Sequence, residues 1–559
     1  MMNTLELAEY EVVPLTPAIF RAAMMALLTG FILTLAFVCL PLSGWQADQP
    51  VTVTAPMLID ALMRLIPWRG LSWLDYDIAD QVLFRLCGIG TGMGLAGLAG
   101  FAITHAATPA VDTRQHYSGR RLIFGKAAAG GANAEILAKA GKRKQWMLEL
   151  APGVVWPRAF QVLNLLILGT IGSGKTRILL KLLEGLLMQA KQTSHDFGLL
   201  VYDATGEILA GLPVDNKDIA VISSTGRSRY GWAMSRDIRT VDDCESAGAQ
   251  RALATKESGM WQDGAATLDA GVMVECLRSH EHWSAPELYA MSLADPLWLK
   301  QQWELHYPPA AGLIEVDAAG ELSKTTVSLL ITWRINVLRT LRPLAEAWKD
   351  LPPQRQFSFA EWLHGTGRQP SIVVLPRNGR HPRISAGWIS MAIDAIAGHV
   401  GDPDLPVSQT RLRTIALEEA PTLGMLPRWP EILDTGRNKG LSTIAVAQDL
   451  TQFRSAYGEV SRSILQRFRL KIICEQTPGP DAREIAQQWI GTRQVRDWKS
   501  ARVVDGKTVP PDPQEVPIVP EEHLSDRLGV GGGAVRAVLV GLKQIYRLEW
   551  PITVWGRRR

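Results

Sequence analysis

Two short stretches of this chain carry residues that could act together on a phosphate. Gly169-Thr-Ile-Gly-Ser-Gly-Lys-Thr176 fits the spacing G-x-x-x-x-G-K-[ST]. Its glycines let backbone N–H groups wrap an anion, Lys175 reaches toward β- and γ-phosphates, and Thr176 offers its hydroxyl to Mg²⁺. Together Gly169, Thr170, Ile171, Gly172, Ser173, Gly174, Lys175, Thr176 and Arg177 form a candidate cradle for the phosphates of ATP. The second stretch is Thr414-Ile-Ala-Leu-Glu-Glu419, an apolar run that delivers two adjacent carboxylates. One suits the water shell of a metal ion and the other can polarise an attacking water. This assigns Glu418 to the metal and Glu419 to the general base. The usual first acid of such a pair is aspartate, so Glu418 departs from the pattern. Asp203, which closes the apolar run Phe197–Asp203, is a rival for the metal role. Two surface glutamates at a strand end would look the same in letters.

These groups need a scaffold, and the flanking pattern supplies one. Val162–Leu168 is an apolar run of strand length. Arg177–Lys191 has helical spacing, with Leu179, Leu183 and Leu186 on one face. A helix N-terminus behind the glycine turn adds its dipole to the anion site. Strands are expected at Phe197–Asp203, Ser371–Leu375, Thr443–Ala447 and Leu470–Cys474, with helices at Ile384–His399 and Asp481–Trp489. This alternation implies an α/β fold with a parallel sheet. Between about 240 and 355 it stops. Helical stretches at 259–279, 284–293 and 322–349, one opened by the capping box Ser284-Ala-Pro-Glu287, predict an all-helical insertion. Val503–Thr508 reads as a hairpin around Asp-Gly, Pro510–Pro520 as a proline-rich linker, and Gly529–Gly533 as a loop. The arginines 557–559 read as a solvated tail.

Composition narrows the setting. The 559 residues carry a formal charge of +4, too mild for a global field that would announce nucleic acid. Five scattered cysteines give no disulfide framework and no zinc spacing; Cys276, His280 and His282 are near each other without a second ligand pair. Ala22–Leu42 and Leu86–Thr104 are uncharged spans whose lengths, at about 1.5 Å per residue, suit a hydrocarbon layer of about 30 Å. Gly88, Gly92, Ala96 and Gly100 recur every fourth residue, a small-residue face for close helix packing. Gly92-Met-Gly-Leu-Ala-Gly97 spells G-x-G-x-x-G, but no strand precedes it and no acid follows at the right distance. Residues 107–150 carry eight Lys/Arg, whereas the loop 43–85 has three arginines, five aspartates and interfacial Trp45, Trp68, Trp73 and Tyr76. Both termini are therefore expected in the cytoplasm. The expected division is 1–108 anchor, 109–240 first part of the nucleotide-binding domain, 241–355 all-α domain, and 356–559 its second part.

The two spans, GTIGSGKT, the helical insertion and Leu417-Glu-Glu-Ala-Pro-Thr-Leu-Gly424 together resemble the type IV coupling proteins of bacterial conjugation, within the FtsK/HerA motor superfamily. Tyr202–Gly206, Gly231-Trp232, Trp261 with Ala265, and Gly436–Leu441 followed by Val446-Ala-Gln448 are similar to family positions. The resemblance covers about residues 17–550. It implies a RecA-like, hexameric, inner-membrane ATPase that recruits a relaxase–DNA complex and drives DNA, single-stranded and also double-stranded in the family's reach, toward a type IV secretion channel. Arg437 matches the family arginine that reaches a neighbour's ATP, and Gln448 its sensor glutamine. Arg437 also suits a helix C-terminal cation. Gln448 at a strand end would orient water or sense the γ-phosphate. Arg377-Asn-Gly-Arg-His-Pro-Arg383 could track a DNA backbone. A chromosome-segregating translocase and a nucleotide-binding membrane scaffold are the competing readings; a scaffold has no need of the base Glu419.

Overall fold

The computed structural model describes residues 23–33, 87–100, 114–140, 148–192, 196–226, 228–253, 259–366, 369–497, 502–504, 507–509 and 511–556. The chain forms two compact units, residues 1–117 with 495–514, and residues 118–494 with 515–559.

In the first unit, residues 23–33 and 87–100 are helical. They lie within the two expected spans, whose remaining residues are outside the described ones. The pieces pack through small residues: Gly30 lies against Met93, Gly92 against Leu33, and a Cβ on Gly100 would fall 2.9 Å from Met25 Sδ. These pairings run in opposite directions along the two helices, so the pieces are antiparallel. Leu27, Leu28, Phe31, Leu95 and Leu98 are exposed. Among the described residues no helix is long and apolar enough to cross a membrane. Arg502–Val504 pairs antiparallel with Lys507–Val509, the expected hairpin; its Asp-Gly turn lies outside the described residues.

The second unit is built on one large sheet. Its strands are β1 Leu122–Ile123, β2 Leu165–Leu168, β3 Phe197–Asp203, β4 Ile219–Val221, β5 Ile372–Pro376, β6 Leu412–Leu417, β7 Leu441–Ala447, β8 Leu470–Ile473, β9 Gly529–Gly531, β10 Ala534–Val540 and β11 Ile545–Pro551. Their order is β1-β11-β10-β8-β2-β7-β6-β3-β5-β4, with β9 on β10. From β8 to β4 every pairing is parallel. Strands buried on both faces read as continuous apolar runs, and β2, β3, β6 and β7 are buried throughout. The C-terminal segment adds what the alternation did not announce: β10 pairs antiparallel with β8 and with β11. Gly529–Gly533 is correspondingly not a plain loop. Gly529–Gly531 pairs with Ala534–Arg536, and Gly532 and Gly533 turn the chain at φ 60° and 80°, a left-handed geometry open to glycine at no steric cost.

Other boundaries shift for identifiable reasons. The strand expected from Val162 starts only at Leu165, because a short helix, Arg158–Gln161, precedes it and takes the backbone N–H groups of Val162 and Leu163 onto Arg158 O at 3.2 Å and Phe160 O at 3.1 Å. The helix after the glycine turn, α1, runs Lys175–Gln192 and begins two residues early. Gln514–Pro517, inside the expected linker, is a strand. The helix expected to begin at Asp481 is Pro480–Glu484 and then widens into a π-helix, Ile485–Ile490.

A short helix α2, Glu207–Gly211, follows β3. The insertion is closed at its root by a separate two-stranded pairing, Gly231-Trp232 in parallel with Gln356-Phe357. Between them lie α3 Val241–Leu253, α4 Met260–Ser279 and α5 Lys324–Thr340, with shorter helices at Ala285–Ser292, Pro296–His306, Pro308–Ala311 and Arg342–Trp348. The expected single helix 322–349 breaks after Thr340, where Pro343 cannot continue the backbone ladder. Ser284 N–H donates to Glu287 Oε2 at 2.8 Å, the reciprocal arm of the expected capping box. Both ends of the insertion are tied to one buried carboxylate. Asp237 accepts from Trp232 Nε1 at 2.7 Å and Phe359 N at 2.8 Å on Oδ2, and from Ser358 Oγ at 2.5 Å and Ala360 N at 3.1 Å on Oδ1. The insertion and one face of the sheet share a continuous apolar core, joined through α6, Pro382–Gly401, and α7, Trp429–Lys439.

Candidate active site

Strand register gathers the chemistry. Leu168 pairs with Ala447 and with Ile473, while Leu417 pairs with Tyr202 and with Ala445. One residue beyond those pairs stand Gly169, Asp203, Glu418, Gln448 and Cys474, all at the C-terminal edge of the parallel sheet. This is where open α/β sheets bind ligands.

The glycine loop fits a phosphate. Gly172 and Gly174 sit at φ 82° and 93°. A Cβ on Gly169 would fall 2.6 Å from both Cys474 Cβ and Ser173 Oγ, and one on Gly174 would fall 2.6 Å from Val535 Cγ1, so neither position admits a side chain. Thr170 N donates to Glu475 O at 2.9 Å, which fixes the loop to the end of β8. Lys175 is buried, and its ammonium donates to Thr170 O at 2.8 Å, inside the loop. Burial pulls its pKa below the ordinary lysine value, opposed first by the Glu419 carboxylate and more weakly by Glu418. Ile171 at the loop tip is exposed. Arg177 points elsewhere, pairing with Glu207 Oε1 at 2.6 Å and Thr553 O at 3.4 Å.

The two carboxylates after β6 differ sharply. Glu418 is 2% exposed, and its Oε2 accepts from Ala204 N at 3.0 Å and Thr205 N at 3.2 Å. Burial, and then the adjacent Asp203 carboxylate, push its pKa well above the usual carboxylate range. Glu419 has φ 53° and ψ 52°, and among the described residues no other non-glycine has positive φ. Its carbonyl accepts from Thr422 N at 2.9 Å and Thr422 Oγ1 at 2.7 Å, which holds that conformation. Its Oε2 is buried with no hydrogen-bond partner. A strained residue with an orphaned carboxylate oxygen costs about 1–3 kcal/mol in the backbone alone. That pattern marks a site built for something other than stability.

Asp203, the rival acid, is committed to its own backbone. It is fully buried, and it spends Oδ1 on Gly206 N and Oδ2 on Leu209 N, each at 2.8 Å, shaping the turn into α2. Burial raises its pKa, against the pull of those backbone donors. Gln448 stands between the glycine loop and the glutamates, where its N–H donates to Gln452 Oε1 at 3.3 Å. Arg437 is exposed in the last turn of α7, directly before β7 begins. It therefore lies at the N-terminal edge of the sheet, away from the glycine loop of its own chain. Arg377, Arg380 and Arg383 follow β5 on the active edge, and no ion pair involves them among the described residues. Sequence reasoning missed Glu475 and Gln476. Gln476 Nε2 donates to Leu168 O at 3.3 Å, bracing the loop's own strand, and a polar pair just past an apolar strand was the available signal.

The family model for the type IV secretion-system coupling protein DNA-binding domain matches residues 149–512. The chain belongs to this family. Among curated proteins, coupling protein TraD of Escherichia coli (strain K12) is 23% identical over 344 residues, 59% of this coupling protein and 44% of TraD. The chain thus spans under half the length of that relative. Among solved structures, bacterial conjugative coupling protein TrwBdeltaN70 in its unbound monoclinic form gives a TM-score of 0.63 at 18% identity, covering 81% of this chain and 97% of that one. Plasmid coupling protein TrwB in complex with ADP and Mg²⁺ gives 0.60 at 18% identity, covering 81% and 97%. At this identity the likeness carries the fold alone.

Proposed function

We propose that this coupling protein is an ATP-driven DNA pump of the bacterial inner membrane. The observation that carries the reading is Glu419, held in a strained backbone with a buried, unpartnered oxygen beside Lys175 and the glycine loop. A scaffold that merely bound nucleotide would gain nothing from that strain. The loop from Gly169 to Thr176 would receive the phosphates of ATP, with Lys175 turning from Thr170 O to the β- and γ-phosphates. Thr176 and Glu418 would hold Mg²⁺, which neutralises phosphate charge when bound. Glu419 takes a proton from water as the water oxygen bonds the γ-phosphorus and the bond to the bridging oxygen breaks. Gln448 orients that water. Arg437, far from its own loop, serves the site of a neighbouring copy in a homo-hexamer.

The arginines of the 377–383 loop would ride a DNA backbone, and the helical insertion would meet incoming relaxase–DNA complex. The helices at 23–33 and 87–100, packed antiparallel through glycines and apolar outside, support a two-span anchor in lipid beside the secretion channel's inner-membrane components. The test is ATP turnover by the full-length chain in detergent, with and without DNA. DNA-stimulated turnover is expected, lost in Lys175→Ala. Turnover unchanged by Lys175→Ala would sink the reading.

A further inference from the structure

The Glu418 carboxylate is gripped by a turn on the neighbouring strand. Besides the two backbone donors, the Thr205 hydroxyl stands 3.2 Å from Oε1 and 3.1 Å from Oε2. All of these donors belong to the segment directly after β3. Glutamate in place of the usual aspartate supplies the extra methylene that lets the carboxylate reach across.

The same turn is tied to the other half of the site. Thr205 Oγ1 accepts from Glu207 N at 3.3 Å, and Glu207 Oε1 takes Nη1 of Arg177, the residue directly after Thr176, at 2.6 Å. Asp203 braces the turn from beneath through Gly206 N and Leu209 N, and Gly206 reverses the chain at φ 80°. The surface pair Arg177–Glu207 contributes little stability alone. Its value is that it connects.

We propose that the Asp203–Glu207 turn sets the Glu418 carboxylate for Mg²⁺, with Thr205 the positioning residue whose hydroxyl holds it. Thr205 acts through Glu418 rather than on nucleotide or metal, and the proposal rests on the nucleotide-site reading above. Groups that hydrogen-bond a metal-holding carboxylate contribute about 10- to 100-fold in metal affinity. Thr205→Val keeps the volume and the backbone N–H but deletes the hydroxyl; Thr205→Ser keeps the hydroxyl.

The experiment is calorimetric titration of the full-length chain with ADP, once in Mg²⁺ and once in EDTA. Thr205→Val should bind ADP about tenfold more weakly in Mg²⁺ and like wild type in EDTA, with Thr205→Ser restored in both. Equal affinity of Thr205→Val and wild type in Mg²⁺ overturns the proposal alone. Equal weakening in both media also overturns it, since the hydroxyl would then shape the site in general. A wild-type chain that binds no ADP overturns both this proposal and the nucleotide-site reading.

Discussion

Glu419 concentrates two costs in one side chain, a left-handed backbone and an unpaired buried oxygen. They are separable. Glu419→Gln preserves shape and should leave ATP bound and unhydrolysed, about 10²- to 10⁴-fold slower in single-turnover assays. Glu419→Gly removes both costs and should raise the midpoint of thermal unfolding while abolishing turnover, because glycine enters φ 53° freely. A variant that loses activity without gaining stability would mean the strain is not stored there. The letters named Glu419 through its neighbour and the apolar run before it. They could not show its conformation, which depends on Thr422 taking the carbonyl from the far side of a turn. Nor could they show that Asp203 faces inward, since an acid at a strand end reads alike whether it meets a metal or its own backbone.

At the scale of elements, the close fit of β10 against the glycine loop makes Gly174 a sharp test. Gly174→Ala must put a Cβ at φ 93° and 2.6 Å from Val535, so nucleotide affinity should fall steeply while Val535→Ala recovers only the steric part. Deep in the insertion, Arg251 of α3 pairs with Asp269 of α4, both at most 6% exposed, and Trp333 Nε1 of α5 donates to the same carboxylate at 2.5 Å. Removing one partner of such a pair costs about 3–5 kcal/mol by stranding the other charge. Asp269→Leu should therefore lower the denaturant midpoint sharply. Arg251→Met with Asp269→Leu should recover most of the loss. The parallel strands and the insertion were legible because their patterns are local, a buried run of strand length or an apolar helical face. The C-terminal hairpin was not, since β10 finds β8 more than sixty residues back and the four glycines of 529–533 carry no apolar period.

At the scale of the whole molecule Arg437 and the glycine loop stand on opposite edges of one sheet, so the role proposed for Arg437 requires a neighbouring copy. Arg437→Ala and Glu419→Gln should each be inactive alone. Mixed before assembly, they should regain part of wild-type turnover, because some interfaces then hold an intact Glu419 facing an intact Arg437. Absence of recovery would confine Arg437 to capping its own helix. The apolar core that runs unbroken from the sheet face through α6 and α7 into the helical insertion has a mechanical meaning. Close-packed side chains are hardly compressible. With no soft layer between the sheet and the insertion, a displacement begun at one is delivered to the other undamped, as through a stiff crank rather than a spring.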